Sequence, residues 1–314
     1  MPFYLGIDSG GTKTSVAVGN DDHLLAMVNE GGASPTRYDA PTVRKTLHAG
    51  IEAACYKAGI SPTEITYSCV ASAGMSVDSS RILVDTIVRE IVGGQLVVIG
   101  DMMVAHEAAF FGAPGVVVIA GTGSIALGIN ERGEMARAGG WGPSISDEGS
   151  GTWIGRKAVT GLLRSIDAGE ATVLANSIKD AWHVRTHEEL VHKCNTANHN
   201  DFARLFPAVQ TAAGEGDVIA RDIMTQAGME LATLGKIVAR RLWTRQQRVS
   251  VAMAGGIFHH SATIRQAFYH YTKAERADSQ LRLTTIPPVL GALAMARRLA
   301  RKSSDTQLRI KYEE

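Results

Sequence analysis

The chain has 314 residues, of which 45% are hydrophobic and 20% are charged, values typical of a globular protein with a sizeable core. The net charge is only +1 and aromatic residues make up 6% of the chain, which disfavours a nucleic-acid partner. No apolar run approaches the roughly 20 residues of a membrane span, and the N-terminal segment lacks the features of a secretory leader. We therefore expect a cytoplasmic protein of about two domains, with reduced cysteines and no membrane partner.

A glycine-rich turn joins the first two predicted strands, residues 3–7 and 15–19. Asp8 ends the first strand, where its carboxylate could hold a metal ion through water. The turn leaves backbone N–H groups open to a phosphate and adds hydroxyl and ammonium donors. These candidate phosphate ligands are Gly10, Gly11, Thr12, Lys13 and Thr14. The spacing is not that of a Walker A loop, and a plain hairpin turn is the alternative.

Strands and helices then alternate through the first half of the chain, which predicts an α/β domain with a mixed sheet. The predicted elements are strand 24–30, helix 43–58, strand 65–72, helix 82–91, strand 96–100 and helix 104–111. Ligands of such sheets bind beyond the carboxyl ends of strands. Asp8, Ser72 and Asp101 all occupy such ends. Asp101 could instead cap the helix that follows it.

The second half repeats this plan. A buried strand, 116–120, ends in a turn of small residues, and a further strand, 125–129, follows. That turn consists of Gly121, Thr122, Gly123 and Ser124. It matches the loose dinucleotide fingerprint, but a strand follows where that fingerprint needs a helix. We therefore interpret the turn as a second phosphate loop in a related domain.

The remaining elements lead to a third bare-backbone turn at Gly255-Gly256. The predicted order is helix 152–165, a helix-rich insertion to about 215, helix 218–243, strand 248–254, helix 261–272, strand 281–286 and a terminal helix 289–302. His187 and His192 resemble a zinc helix, but their spacing of five turns them to different faces and favours a solvated helix. His259 and His260 are expected in a surface loop.

A tryptophan between glycines follows the second phosphate loop. Trp141 and Gly142 precede an acidic pair, Asp147-Glu148, and the glycines leave the indole ring uncovered by adjacent side chains. This arrangement is typical of a site for a polar ring that carries hydroxyls. The alternatives are a core position for the tryptophan and helix capping by the acids near Gly151.

The motif GGWGPSISDEGSG, residues 139–151, resembles the signature of the N-acetylglucosamine kinase group in the sugar kinase/Hsc70/actin ATPase superfamily. The resemblance covers nearly the whole chain, and the broader family includes ATPase activators of 2-hydroxyacyl-CoA dehydratases. It implies two related ribonuclease H-like α/β domains, the actin-like ATPase fold, with an interdomain cleft. The expected boundaries are residues 1–114 completed by helix 289–302, residues 115–288 with a helical insertion at about 165–215, and a polar tail 303–314.

The same resemblance implies roles for individual residues. Asp8 would organise the hydration shell of Mg²⁺, and Asp101 would be the base that faces the sugar 6-hydroxyl. The residues expected to bind ATP are Gly10, Gly11, Thr12, Lys13, Gly121, Thr122, Gly123, Ser124, Gly255 and Gly256. Those expected to line the sugar, besides Asp101, are Ser72, Trp141, Gly142 and Asp147. The family's asparagine after the first hairpin is absent here, so Ser34 or Thr36 must substitute.

The function implied by the resemblance is ATP-dependent phosphorylation of an amino sugar at its 6-hydroxyl, with N-acetylglucosamine as the first candidate and a homodimer as the expected assembly. Glucosamine and N-acetylmuramic acid stay open as substrates. An ATPase that activates a redox enzyme and a sugar-sensing regulator are further alternatives. The three cysteines, Cys55, Cys69 and Cys194, lie in helical patterns and a strand rather than in glycine-flanked loops, which disfavours an iron–sulfur cluster.

Overall fold

The structure, a computed structural model, describes residues 1–75 and 77–312, with the backbone alone for residues 302–312. The chain forms two compact units: Met1–Ala113 together with the C-terminal segment from Thr285, and Pro114–Thr284. The terminal helix extends to Tyr312, beyond its predicted end at residue 302. The last two residues of the predicted tail 303–314 lie outside the described residues.

A five-stranded sheet with the order β3-β2-β1-β4-β5 forms the centre of the first unit. Its strands are β1 Phe3–Ser9, β2 Lys13–Gly19, β3 Leu24–Gly31, β4 Ile65–Ser72 and β5 Gln95–Gly100. Its helices are α1 Ala40–Ala58, α2 Asp78–Arg89, α3 Asp101–Phe110 and the C-terminal α12 Pro288–Tyr312. The first three strands form an antiparallel meander, and β4 and β5 run parallel to β1.

Apolar side chains on both faces of this sheet are covered by helices. One cluster joins β1, β2 and β4 to α1 and α2, and a second joins the opposite face to α3 and α12. The helix α12 approaches β1 closely, because a Cβ atom on Gly6 would lie 2.4 Å from the backbone nitrogen of Leu293. The C-terminal segment therefore completes the first unit through a contact that needs glycine in the strand.

The second unit repeats the same sheet order with β10-β9-β6-β7-β8. Its strands are β6 Gly115–Ala120, β7 Ser124–Ile129, β8 Met135–Gly139, β9 Ser250–Ala254 and β10 Gln280–Leu283. Its helices are α4 Gly151–Ala168, α5 Val173–Trp182, α6 His187–Thr196, α7 His199–Ala203, α8 Phe206–Gly214, α9 Val218–Leu242, α10 Gly256–His260 and α11 Ala262–Glu275. The pairing directions also match, since β6, β7 and β8 form an antiparallel meander while β9 and β10 run parallel to β6. The predicted relation between the two halves is confirmed at the level of topology.

Two elements of the second unit differ from the sequence-based expectation. The strand β8 was not predicted, because its sequence MARAG carries no alternating apolar pattern and depends on pairing with β7. His259 and His260 belong to the short helix α10 rather than to a surface loop, although both are exposed. By contrast, His187 and His192 lie on α6, as predicted.

No helix within the described ranges, 1–75 and 77–312, is both long enough and apolar enough to cross a membrane. Cys55 and Cys69 are buried free thiols, and Cys194 is a half-buried one.

Candidate active site

Three polar residues of the first unit meet at the carboxyl edge of its sheet. Ser72 of β4 pairs with Gly100 of β5, the residue before Asp101, and Asp8 lies one position before this row on the neighbouring β1. The predicted placement of these residues at strand ends is therefore confirmed. The side chain of Ser72 is fully buried, and its hydroxyl donates to the carbonyl of Ala73 at 3.4 Å. Asp8 and Asp101 are the groups at this edge that can reach a ligand.

Asp101 begins helix α3, but it does not act as the capping residue. The N-cap position belongs to Gly100, and the Asp101 carboxylate accepts one hydrogen bond from the N–H of Met102 at 2.9 Å. The residue remains exposed, yet loss of hydration within the surrounding protein raises the pKa of its carboxyl group. An accessible carboxylate with a raised pKa is suited to accept a proton from a bound hydroxyl.

Asp8 is half-buried beside Asp101, and the two carboxylates interact. Burial, together with the negative charge of Asp101, raises the pKa of Asp8 to about 6, and the Lys13 ammonium opposes part of this shift. A carboxylate that is partly desolvated and next to a like charge is destabilised in its ionised form. The pair therefore attracts cations.

The raised pKa of Asp8 predicts that an asparagine at this position stabilises the metal-free protein at neutral pH. The folded state holds the Asp8 proton more tightly than the unfolded state, whose carboxyl has a pKa near 4. The free energy of unfolding of the wild-type protein therefore falls as the pH rises from about 4 to about 6, by at most about 3 kcal/mol. Denaturant unfolding of Asp8→Asn in chelator should show this gain at pH 7 and none at pH 4.

The matched control is Asp22→Asn, the same change at an exposed turn residue. We expect this variant to follow the wild-type protein across the whole pH range. A stability difference for Asp8→Asn that does not depend on pH would contradict the raised pKa of Asp8.

The first phosphate loop, residues 10–13, is a tight turn between β1 and β2. The N–H of Gly10 donates to the carbonyl of Lys13 at 2.9 Å, and the side chains of Thr12 and Lys13 are exposed. Thr14 is fully buried, and its hydroxyl has no hydrogen-bond partner among the described residues. The prediction of Thr14 as a phosphate donor is therefore wrong, because side-chain alternation along β2 turns this residue inward.

The loop that follows β3, residues 31–38, is here called the sugar loop. Ser34 is buried, and its hydroxyl lies 2.9 Å from the hydroxyl of Thr36, which belongs to an exposed residue. Of the two residues predicted to replace the asparagine of the family, Thr36 is accessible to a ligand. Ser34 is buried and contacts the Thr36 hydroxyl through its own hydroxyl.

The second phosphate loop, residues 121–124, is fixed to the start of helix α4. The N–H of Gly151 donates to the carbonyl of Gly121 at 2.8 Å, and the hydroxyl of Thr152 donates to the carbonyl of Thr122 at 2.8 Å. The Ser124 side chain is buried and donates to the Glu148 carbonyl at 2.7 Å. The N–H of Gly121 donates to the Gly123 carbonyl at 2.9 Å, within the turn. Thr122 and Gly123 are therefore the loop residues whose N–H groups are candidates for binding an anion.

Asp147 joins this phosphate loop to the tryptophan loop, residues 140–146. Its side chain is 5% exposed. Burial raises the pKa of its carboxyl group, and the nearby backbone N–H groups of Ser124 and Gly142 oppose part of this shift. A Cβ atom on Gly123 would lie 2.7 Å from Asp147 Oδ2, so the carboxylate sits directly against the loop backbone. Asp147 also adopts a φ of 69°, a left-handed conformation that is uncommon outside glycine but that asparagine and aspartate adopt more readily than most residues.

The acidic pair therefore does not cap the following helix. Ser150 caps α4 by accepting a hydrogen bond from the N–H of Trp153, and Glu148 accepts one from the Ser146 hydroxyl at 3.0 Å. The capping alternative for Asp147 and Glu148 is wrong, because a better N-cap residue lies closer to the helix.

Trp141 is 65% exposed, which excludes the alternative of a core position. The Arg137 guanidinium lies over one face of its indole ring, 4.1 Å from the ring centre. A cation over the ring is attracted to its electron-rich face, and this cation–π interaction restrains the orientation of the ring. The sequence gives no sign of this contact, because Arg137 belongs to the unpredicted strand β8.

The third predicted turn brings the backbone of two strands together. Gly255 has a φ of 94°, and a Cβ atom there would lie 2.3 Å from the carbonyl oxygen of Ala120, the last residue of β6. Gly256 begins α10 and has room for a side chain. Gly255 therefore lies against Ala120, the residue that directly precedes the second phosphate loop.

Two further contacts in these loops were not found from the sequence. Arg156 of α4 donates to the carbonyl of Pro143 in the tryptophan loop and lies 3.0 Å from Nδ1 of His199. Tyr38 of the sugar loop donates its hydroxyl to the carbonyl of Gly11 at 3.0 Å. Both contacts join segments that are distant in sequence, so no local pattern could reveal them.

Two α/β units of one topology, each with a glycine-rich turn after its first strand, define the actin-like ATPase fold. The chain belongs to the BadF/BadG/BcrA/BcrD ATPase family, whose model matches residues 5–296. Membership of this family implies the use of ATP.

Curated relatives and a solved structure cover most of the chain. The N-acetylmuramic acid/N-acetylglucosamine kinase of Clostridium acetobutylicum is 31% identical over 82% of this chain and 86% of its own length. The N-acetyl-D-glucosamine kinase of Dictyostelium discoideum is 28% identical over 93% of this chain and 97% of its own. A Chromobacterium violaceum protein, solved as a candidate N-acetylglucosamine kinase, has a TM-score of 0.76 at 25% identity and covers 93% of this chain and 98% of its own.

Proposed function

We propose that this chain is an ATP-dependent kinase that phosphorylates N-acetylglucosamine, or the closely related N-acetylmuramic acid, at the 6-hydroxyl. The observation that carries the proposal is the position of the Asp147 carboxylate, directly against the backbone of a phosphate-type loop and near the N–H of Gly142 in the loop that exposes the Trp141 ring. A phosphate site and a sugar-ring site built on one segment fit a phosphotransferase with a sugar acceptor. The two curated relatives are kinases of this substrate class and support the same reading.

In this proposal the nucleotide is held by backbone groups. N–H groups of the first and second phosphate loops bind the phosphate oxygens, and the exposed Lys13 adds positive charge. The turn at Gly255 and Gly256 lies against the adenosine. Binding by fixed backbone donors needs little rearrangement when charge shifts between oxygens during transfer.

The Asp8 carboxylate fits a magnesium ion. It provides an oxygen ligand of the kind that Mg²⁺ prefers, directly or through water, and a cation beside it would offset the burial and the charge of Asp101 that raise its pKa. Within the described ranges no three metal-ligating side chains come together, so water and phosphate oxygens would complete the coordination. When bound, Mg²⁺ neutralises charge on the phosphate groups.

The proposed chemistry is a single in-line transfer. The sugar 6-oxygen forms a bond to the γ-phosphorus while the bond from that phosphorus to the β–γ bridging oxygen breaks, which releases ADP. The hydroxyl proton passes to the Asp101 carboxylate and then to solvent. Asp101 also orients the hydroxyl, and alignment of this kind supplies much of the rate enhancement in phosphoryl transfer.

The sugar would rest against polar and aromatic groups already described. Trp141 offers an exposed ring to the apolar face of a pyranose, and the Thr36 hydroxyl is accessible in the sugar loop. Asp147 lies beside backbone groups of both loops, so its first role in this proposal is to hold the second phosphate loop and the tryptophan loop together.

A panel of sugars tests this function directly. The purified protein with MgATP is offered N-acetylglucosamine, N-acetylmuramic acid, glucosamine, N-acetylmannosamine and glucose, and ADP formation is followed by a coupled assay. We expect sugar-dependent ADP formation that is fastest with one of the first two sugars. ADP formation that no sugar accelerates would contradict the proposal and favour an ATPase.

A further inference from the structure

The sugar loop and the first phosphate loop are packed together into one assembly within the first unit. The N–H of Ala33 donates to the carbonyl of Gly10 at 3.2 Å, and the Tyr38 hydroxyl donates to the carbonyl of Gly11. A Cβ atom on Gly32 would lie 2.7 Å from the Gly11 carbonyl oxygen, so the two backbones are in direct contact. A ligand that orders one loop therefore also acts on the other.

Arg37 extends from this sugar loop along the backbone of the phosphate loop. Its Cδ, Nε and Nη1 atoms lie 2.7, 2.8 and 2.8 Å from the place where a Cβ atom of Gly11 would stand. A larger residue at position 11 would have to displace the Arg37 side chain from this place. The long side chain thus crosses the middle of a turn whose N–H groups are candidates for phosphate binding.

The charge of Arg37 suits this position. Transfer of a phosphoryl group needs positive charge near its oxygens, and the exposed Lys13 already acts on the neighbouring Asp8 carboxylate. A guanidinium presents parallel N–H donors that match two oxygens of one phosphate group.

We propose that Arg37 is a catalytic residue whose guanidinium contacts the transferred phosphoryl group, and that the sugar loop places it there. This assignment rests on the proposed kinase function. Arg37 forms no covalent bond and accepts no proton: it stabilises charge on the phosphoryl oxygens while the 6-oxygen of the sugar replaces ADP. Because Arg37 and Thr36 are adjacent in one loop, occupancy of the sugar site positions the charge for transfer.

The experiment compares Arg37→Ala and Arg37→Lys with the wild-type protein. We expect Arg37→Ala to lower kcat by about 10²-fold with little change in the KM for sugar, since a donor aimed at transition-state charge is lost. Arg37→Lys should recover part of kcat, because it keeps the charge but not the paired donors. The matched control is Arg89→Ala, which removes an exposed arginine from a surface ion pair and should leave kcat unchanged.

Binding of a non-hydrolysable ATP analogue provides a second measurement that does not depend on turnover. We expect Arg37→Ala to weaken analogue binding in the presence of N-acetylglucosamine by about 10-fold. If the wild-type protein phosphorylates no sugar, the kinase proposal fails, and unchanged analogue affinity in Arg37→Ala then overturns the phosphate contact as well. If the wild-type protein is an active kinase and Arg37→Ala keeps kcat and analogue affinity within about threefold, the proposal for Arg37 alone is wrong.

Discussion

Asp101→Asn should lower kcat by roughly 10²–10⁴-fold while leaving sugar binding nearly intact, the loss expected when a general base is removed. Asn has the shape of Asp and can still accept the hydrogen bond from Met102, but it cannot take a proton from the sugar hydroxyl. Steady-state kinetics of sugar phosphorylation, together with calorimetric binding of N-acetylglucosamine, measure the two quantities separately.

The control for this substitution is Asp85→Asn, the same change on an exposed carboxylate of α2 that pairs with Arg89. It should be fully active, because exposed ion pairs contribute little to stability. Near-normal turnover in Asp101→Asn would remove Asp101 from the role of base. Loss of sugar binding together with activity would instead indicate that Asp101 mainly binds the substrate.

Gly255→Ala should both destabilise the protein and weaken nucleotide binding. The added Cβ atom would stand 2.3 Å from the carbonyl oxygen of Ala120, and the residue would have to keep a φ of 94°. Backbone strain and overpacking of this kind cost roughly 2–4 kcal/mol in the free energy of unfolding. Since Ala120 directly precedes the second phosphate loop, any relief of the clash displaces that loop. Thermal unfolding and titration with an ATP analogue measure the two effects.

Gly256→Ala is the neighbouring control for stability. A Cβ atom at this position would approach only the His260 ring, at an ordinary contact distance of 3.9 Å, so its unfolding midpoint should stay close to that of the wild-type protein. Equal midpoints for the two variants would contradict the close approach of Gly255 to β6.

The strand ends that carry Asp8 and Asp101 could be predicted because they depend on local pattern. A short buried run that stops at a polar or glycine residue predicts a parallel strand and its carboxyl end. The register of β1, β4 and β5 then follows from packing the apolar residues of each strand into one sheet. The same reasoning predicted the glycine-rich turns at residues 10–13 and 121–124 and the relation between the two halves, and the structure contains both turns and the shared topology.

The orientation of individual side chains could not be predicted in this way. Ser72, Ser124 and Thr14 lie at predicted ligand sites, yet all three side chains are buried. Whether a residue at the end of a strand faces a ligand or the core depends on the pleat and on the neighbouring element, which a turn motif does not specify.

Contacts between segments that are distant in sequence could not be predicted either. The position of the Asp147 carboxylate beside two loops depends on a left-handed backbone conformation that no local sequence rule requires of an aspartate before a glutamate. The contact between the Arg137 guanidinium and the Trp141 ring depends on strand β8, whose sequence lacks an alternating apolar pattern. These contacts between distant segments set the positions of the Asp147 and Trp141 side chains in the candidate site.

The identity of the reaction product tests the central claim most directly. Phosphorus and proton NMR of the product made from N-acetylglucosamine and MgATP should show one phosphate ester per ADP formed, coupled to the two protons of carbon 6. That result is expected for a kinase whose Asp101 accepts the proton of the 6-hydroxyl. Inorganic phosphate in place of a sugar phosphate, or an ester at another carbon, would contradict the account.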